Sequence, residues 1–184
     1  MRFRKGDNAE VISKQIYHVT IKLLIFLGSS EGAIDPAEVN SWMPSPHELA
    51  KYDQAAYMHV YCSANVLALG ARAFERLGRD DDAATAAQLG IDQHKKKVVI
   101  SDCQRTLGRV AARRGDEARA QATFVSAAET AQIARMPLLA LFAGRDLKRH
   151  VPAQSAKGDQ IIDAACARMG KERARFASAL EFEA

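Results

Sequence analysis

The feature that most constrains this chain is a recurrence. Gly78 and Gly115 lie 37 residues apart (115 − 78 = 37), and at that offset Ala83 falls on Ala120, Ala87 on Phe124 and Gly90 on Ala127. Upstream, Ala71 falls on Gly108 and Phe74 on Ala111. A further step of 36 (144 − 108) carries Gly108 onto Gly144 and Ala111 onto Leu147. Self-similarity at such a period marks stacked supersecondary units, each too small to bury its own apolar face. Small residues at recurring positions let two helices approach closely.

The local signals between these positions are helical. Asp7 with Glu10 three residues on reads as a capping box, followed by a helix over 8–27 that Gly28 ends. Asp35-Pro36-Ala37-Glu38 starts a short helix through Trp42, with Asp as cap and Pro at the first helical position. Ser45-Pro46-His47-Glu48 repeats that grammar and opens a helical stretch reaching Leu77. Its length predicts either one long helix or a break near Cys62-Ser63. After Gly78, Asp80–Asp82 favour a helix N-terminus, and the "HKKK" of residues 94–97 is expected in that helix's last turn. Further helices are expected at about 100–114, 117–134, from Pro137 through "LLALFAGRDLKRHV", at 159–169, and at 171–181 as a cap. The expected class is all-α.

One window resembles a tetratricopeptide (TPR) repeat: Leu107-Gly108, Gly115-Asp116, then Ala120, Phe124 and Ala127. The match departs from the family pattern at Gln104 and Ala111, where that family usually has Trp and Tyr. The units on either side are degenerate. The resemblance implies antiparallel helix pairs stacked as a right-handed superhelix over 64–184, with an N-terminal helical extension over 1–63 packed against it. It also implies that the first helix of each pair lines a concave groove.

Arginines travel with the repeat. Arg72 falls on Arg109 and then Arg145, and Arg76 on Arg113 and then Arg149, while Arg105 adds one turn to the middle helix. Residues four apart share a helix face. The resemblance puts these seven arginines on the groove side, together with Asn65 and Asp102. A guanidinium grips a carboxylate with two parallel hydrogen bonds, so a row of them favours an acidic or carboxylate-bearing protein segment. The bland alternative is a solvated face in which Glu75 and Asp146 offset part of the charge. The function expected is therefore a scaffold, adaptor or regulatory module. A nucleic-acid-binding solenoid and a non-catalytic subunit of an enzyme complex are the alternatives, and few aromatic residues near the arginines count against the first of these.

Composition narrows the rest. The 184 residues are 48% hydrophobic and 26% charged with a net charge of +4, which suits a globular protein rather than a basic tail. Cys62, Cys103 and Cys166 are odd in number and form no CxxC, which favours a reducing, cytoplasmic setting over a disulfide framework. The apolar run at 20–28 is too short to span a bilayer, and the N-terminus lacks a secretory pattern. His59 and Cys62 share a spacing that two metal ligands could use, but no second pair accompanies them, so no metal is expected. No nucleophile, metalloprotease or phosphate-loop motif is present, and neither catalysis nor a cofactor is expected. Tyr52, Tyr57, Met58, Val60 and Tyr61 read as a docking core for the N-terminal helices. Phe176, Leu180 and Phe182 read as a cap or as a contact with a larger assembly.

Overall fold

Helix start and stop signals become nine α-helices in the computed structural model, which describes residues 9–59 and 65–170. Among the described residues there is one further 3-10 turn and no strand. The helices are α1 (Ala9–Gly28), α2 (Pro36–Trp42), α3 (Pro46–His59), α4 (Val66–Arg76), α5 (Asp80–Gln93), α6 (Lys97–Arg113), α7 (Glu117–Ile133), α8 (Pro137–His150) and α9 (Ser155–Met169). None is long and apolar enough to cross a membrane.

The caps act as the sequence indicates. The Asp35 carboxylate accepts the Ala37 N–H at 2.8 Å. Ser45 and Glu48 form a reciprocal box: the Glu48 carboxylate accepts the Ser45 N–H at 2.9 Å, and the Ser45 hydroxyl accepts the Glu48 N–H at 3.3 Å. The Asp7 box lies outside the described residues, as does the stretch 60–64 where a break was expected. Beyond that stretch, α4 begins after its N-cap Asn65.

One expectation is overturned. His94–Lys97 does not close α5, because α5 ends at Gln93 and Lys97 already belongs to the first turn of α6. Cations at a helix N-terminus cost a few tenths of a kcal/mol to about 1 kcal/mol. Burying Val99 and Cys103 from the same turns yields more than that.

Helices α4, α6 and α7 end in the same backbone figure. The N–H of Gly78 reaches Glu75 O and that of Arg79 reaches Phe74 O. Gly115 and Asp116 repeat this on Ala112 and Ala111, and Arg135 and Met136 on Gln132 and Ala131. This Schellman closure needs a left-handed residue, with φ of +73° at Gly78, +77° at Gly115 and +56° at Arg135.

The chain forms two compact units, Met1–His94 and Lys95–Ala184. In the first, α1 packs on α3 and α4, and α3 also meets both α4 and α5. Leu23 and Phe26 of α1, Leu49 of α3, Val66, Leu67 and Phe74 of α4 and Ala83 and Ala87 of α5 are buried there. The pair α4–α5, grouped with the repeats by sequence, thus shares a core with the N-terminal helices. In the second unit α6 packs on α7, α7 on α8 and α8 on α9, with a smaller contact between α6 and α8. Its core is mostly alanine around Phe124, Leu147 and Ile161.

Gly108 and Gly144 show why the recurring positions are small. A Cβ on Gly108 would lie 2.5 Å from the Phe124 ring. One on Gly144 would meet Gly158 O and the side chains of Ile161 and Ile162, all at 3.0 Å.

Candidate functional site

The arginines of the second unit are organised by one carboxylate. Arg105 and Arg109 sit four residues apart on α6 and both point at Asp146 of α8. Arg105 Nε donates to Asp146 Oδ2 at 2.8 Å and Arg109 Nη1 donates to the same oxygen at 2.9 Å. Asp102, one turn before Arg105, lies 3.6 Å from Arg105 Nη1, and the Arg105 guanidinium stacks over the Phe142 ring at 5.0 Å. Arg105 is only 4% exposed and the Asp146 side chain 13%. Burial by itself pushes the Asp146 carboxyl up, but the Arg109 and Arg105 guanidiniums outweigh it and hold it below the usual carboxylate range.

The outer members of the row are more accessible. Arg113, in the last turn of α6, and Arg149, in the last turn of α8, are exposed, and Arg145 is half-buried. Arg105 and Arg109 thus close on Asp146, and Arg113, Arg145 and Arg149 lie on the same two helices.

The first unit uses its arginines differently. Arg76 Nη1 donates to Phe26 O at 2.6 Å and Nη2 to Ser30 O at 2.9 Å, while the guanidinium lies 4.7 Å from the Phe26 ring centroid. It closes the C-terminal end of α1, where carbonyls lack intrahelical partners. Arg72 is half-buried on α4, and Asn65 is the half-buried N-cap of α4 with no side-chain capping bond.

No known protein family, curated protein or solved structure matches this chain.

Two groupings have no local signature in the sequence. Asp53 of α3, 3% exposed, contacts His94 Nε2 and accepts the Leu67 N–H at 3.3 Å, tying α3 to the start of α4 and the end of α5. Its partners lie 14 and 41 residues away, beyond any helical spacing. The second is a pocket of about 510 Å³ lined by Gln132, Ile133, Arg135, Pro137 and Arg168, assembled from the α7–α8 turn and the end of α9.

Among the described residues, no three potential metal ligands converge. Cys62 and the side chain of His59 lie outside the described residues, as do the side chains of Tyr57 and Met58, and Val60, Tyr61, Phe176, Leu180 and Phe182. Tyr52 is half-buried on α3.

Proposed function

We propose that the chain is a non-catalytic protein–protein interaction module built of TPR-like antiparallel helix pairs, and that it takes up an acidic or carboxylate-bearing segment of a partner. One observation carries this reading: Asp146 of α8 is gripped by Arg105 and Arg109 of α6. A stack of helix pairs sets the first helix of one pair beside the first helix of the next, and this contact supports that order for α6 and α8. A basic face there is supported by Arg113, Arg145 and Arg149, which lie on the same two helices beside the balanced Arg105–Arg109–Asp146–Asp102 cluster.

The arginines divide their labour in this reading. Arg105 and Arg109 hold α6 to α8, their charge balanced by Asp146 and Asp102, while Arg113, Arg145 and Arg149 meet the ligand. Asp102 stands beside Arg105 in this surface of the second unit, while Arg72, Arg76 and Asn65 belong to the first unit, where Arg76 acts on the end of α1.

The test avoids residues that bind Asp146, since reversing Arg109 would break the α6–α8 contact. A fluorescein-labelled glutamate-rich dodecapeptide is titrated by anisotropy against wild type and an Arg145→Glu/Arg149→Glu variant, with circular dichroism to establish that both fold. Binding lost in the variant and weakened by salt is the expected result. Unchanged peptide affinity, or binding only of a single-stranded RNA oligonucleotide, overturns the proposal.

A further inference from the structure

Three unusual features of the second unit meet at the turn between α7 and α8. The first is backbone strain. Of the three Schellman ends, two carry glycine at the left-handed position and the third carries Arg135 at φ +56°. For a residue with a Cβ that conformation costs about 1–2 kcal/mol. The second is charge in an open setting. Arg135 and Arg168 are exposed and line the same pocket of about 510 Å³, and among the described residues neither guanidinium makes a hydrogen bond or ion pair. The third is apolar exposure. Among the described residues of this unit, the two large hydrophobic side chains left exposed are Ile133 at 71% and Met136 at 39%, and both flank Arg135.

None of these features stabilises the fold. Glycine at 135 would close the helix at lower cost, and neither Ile133 nor the two guanidiniums find a place in the core. Strain kept without a folding return marks a position selected for something else. These side chains form a consistent recognition set: two planar donors lining one pocket, fit for a carboxylate, and adjacent apolar area for a neighbouring aliphatic side chain.

We infer that this pocket is a second binding site, which takes a carboxylate adjoining an aliphatic side chain in a partner polypeptide. The carboxylate sits between Arg135 and Arg168, and the aliphatic group covers Ile133 and Met136. The site is separate from the surface around Asp146. Asp146 lies nine residues along α8 from Pro137, about 14 Å at 1.5 Å per residue. Loss of one surface leaves the other intact.

The carboxylate can be an acidic side chain or a chain terminus, and three probes separate the two. They are acetyl-Leu-Glu-Leu-amide, acetyl-Leu-Leu with a free carboxylate, and acetyl-Leu-Gln-Leu-amide, each titrated against the full chain while the Ile133 and Met136 methyl signals are followed by NMR. At least one acidic probe is expected to shift both methyls, with the glutamine probe at least tenfold weaker. Arg135→Gly is expected to weaken that probe about tenfold while raising the melting temperature, a combination that a purely structural arginine would not give. Arg168→Gln is expected to weaken it without the thermal gain. Equal response to the glutamine probe, no shift with either acid, or wild-type affinity in both variants overturns the site.

Discussion

Replacing Gly108 with alanine sets two effects of known size against each other. Helix propensity alone favours the change, by about 1 kcal/mol for an interior position. Packing opposes it. The new Cβ would stand 2.5, 2.7 and 2.9 Å from Cε1, Cδ1 and Cζ of Phe124, where carbon atoms prefer about 3.5–4.0 Å. The ring therefore has to retreat by about 1 Å to restore van der Waals contact. It has nowhere to go, because Phe124 is fully buried among Ala120, Ala127 and Leu147 and stacks on His150 at 6.0 Å between centroids.

Overpacking of this kind costs about 1–3 kcal/mol, and three sub-contact distances put Gly108 at the upper end. After the propensity gain, a net loss of about 1–2 kcal/mol remains. For a unit spanning Lys95–Ala184 that corresponds to a fall of about 5–15 °C in melting temperature. Urea and thermal unfolding followed by far-ultraviolet circular dichroism measure it. Adding Phe124→Leu should recover at least about 1 kcal/mol relative to the sum of the single changes, since the two sites share one contact. A Gly108→Ala protein as stable as wild type, or more so, would refute the close approach of α6 and α7.

Other perturbations test the polar framework. Asp146→Asn leaves Arg105 buried without its strongest partner and is expected to cost about 2–4 kcal/mol at pH 7, read by urea unfolding. The folded carboxyl titrates below its unfolded value of about 3.9, so its stabilisation is complete above about pH 5 and disappears as pH falls through the lower folded value. The gap in melting temperature between wild type and Asp146→Asn should stay constant from pH 8 to 5 and close below pH 4. Asp53→Ala deprives the Leu67 N–H and His94 of their acceptor and is expected to cost about 3 kcal/mol. Trp42 lies in the same unit, so its fluorescence should report that loss as an earlier urea midpoint. Arg76→Met keeps the aliphatic stem but frees the carbonyls of Phe26 and Ser30. Amide hydrogen exchange in the last turn of α1 should accelerate several-fold while α6–α9 are unaffected. At Gly78 nothing crowds a new Cβ, so Gly78→Ala should cost only the left-handed strain, about 1 kcal/mol by urea unfolding.

What the sequence made legible was local. Asp35, the Ser45–Glu48 box and the glycines at 78 and 115 determine where helices begin and end, because each acts on backbone groups within a few residues of itself. The recurrence of Gly108 and Gly144 announced close helix contacts for the same reason, since a missing side chain is visible without knowing what fills its place. The lysines at 95–97 misled, because the dipole preference they signal is small beside the apolar burial that set the start of α6.

Tertiary structure decided which cations do structural work and which are presented. Seven arginines look alike in sequence, yet Arg105 is buried against Asp146 across 41 residues and Arg76 is bound to carbonyls 46 and 50 residues away. Arg135 gains its setting only when the end of α9 comes beside the α7–α8 turn. Helix boundaries follow from backbone hydrogen bonds whose partners lie within one or two turns. The environment of a charge depends on helices that meet only after the chain has folded, so a sequence pattern can place a guanidinium on a face but not its carboxylate in front of it.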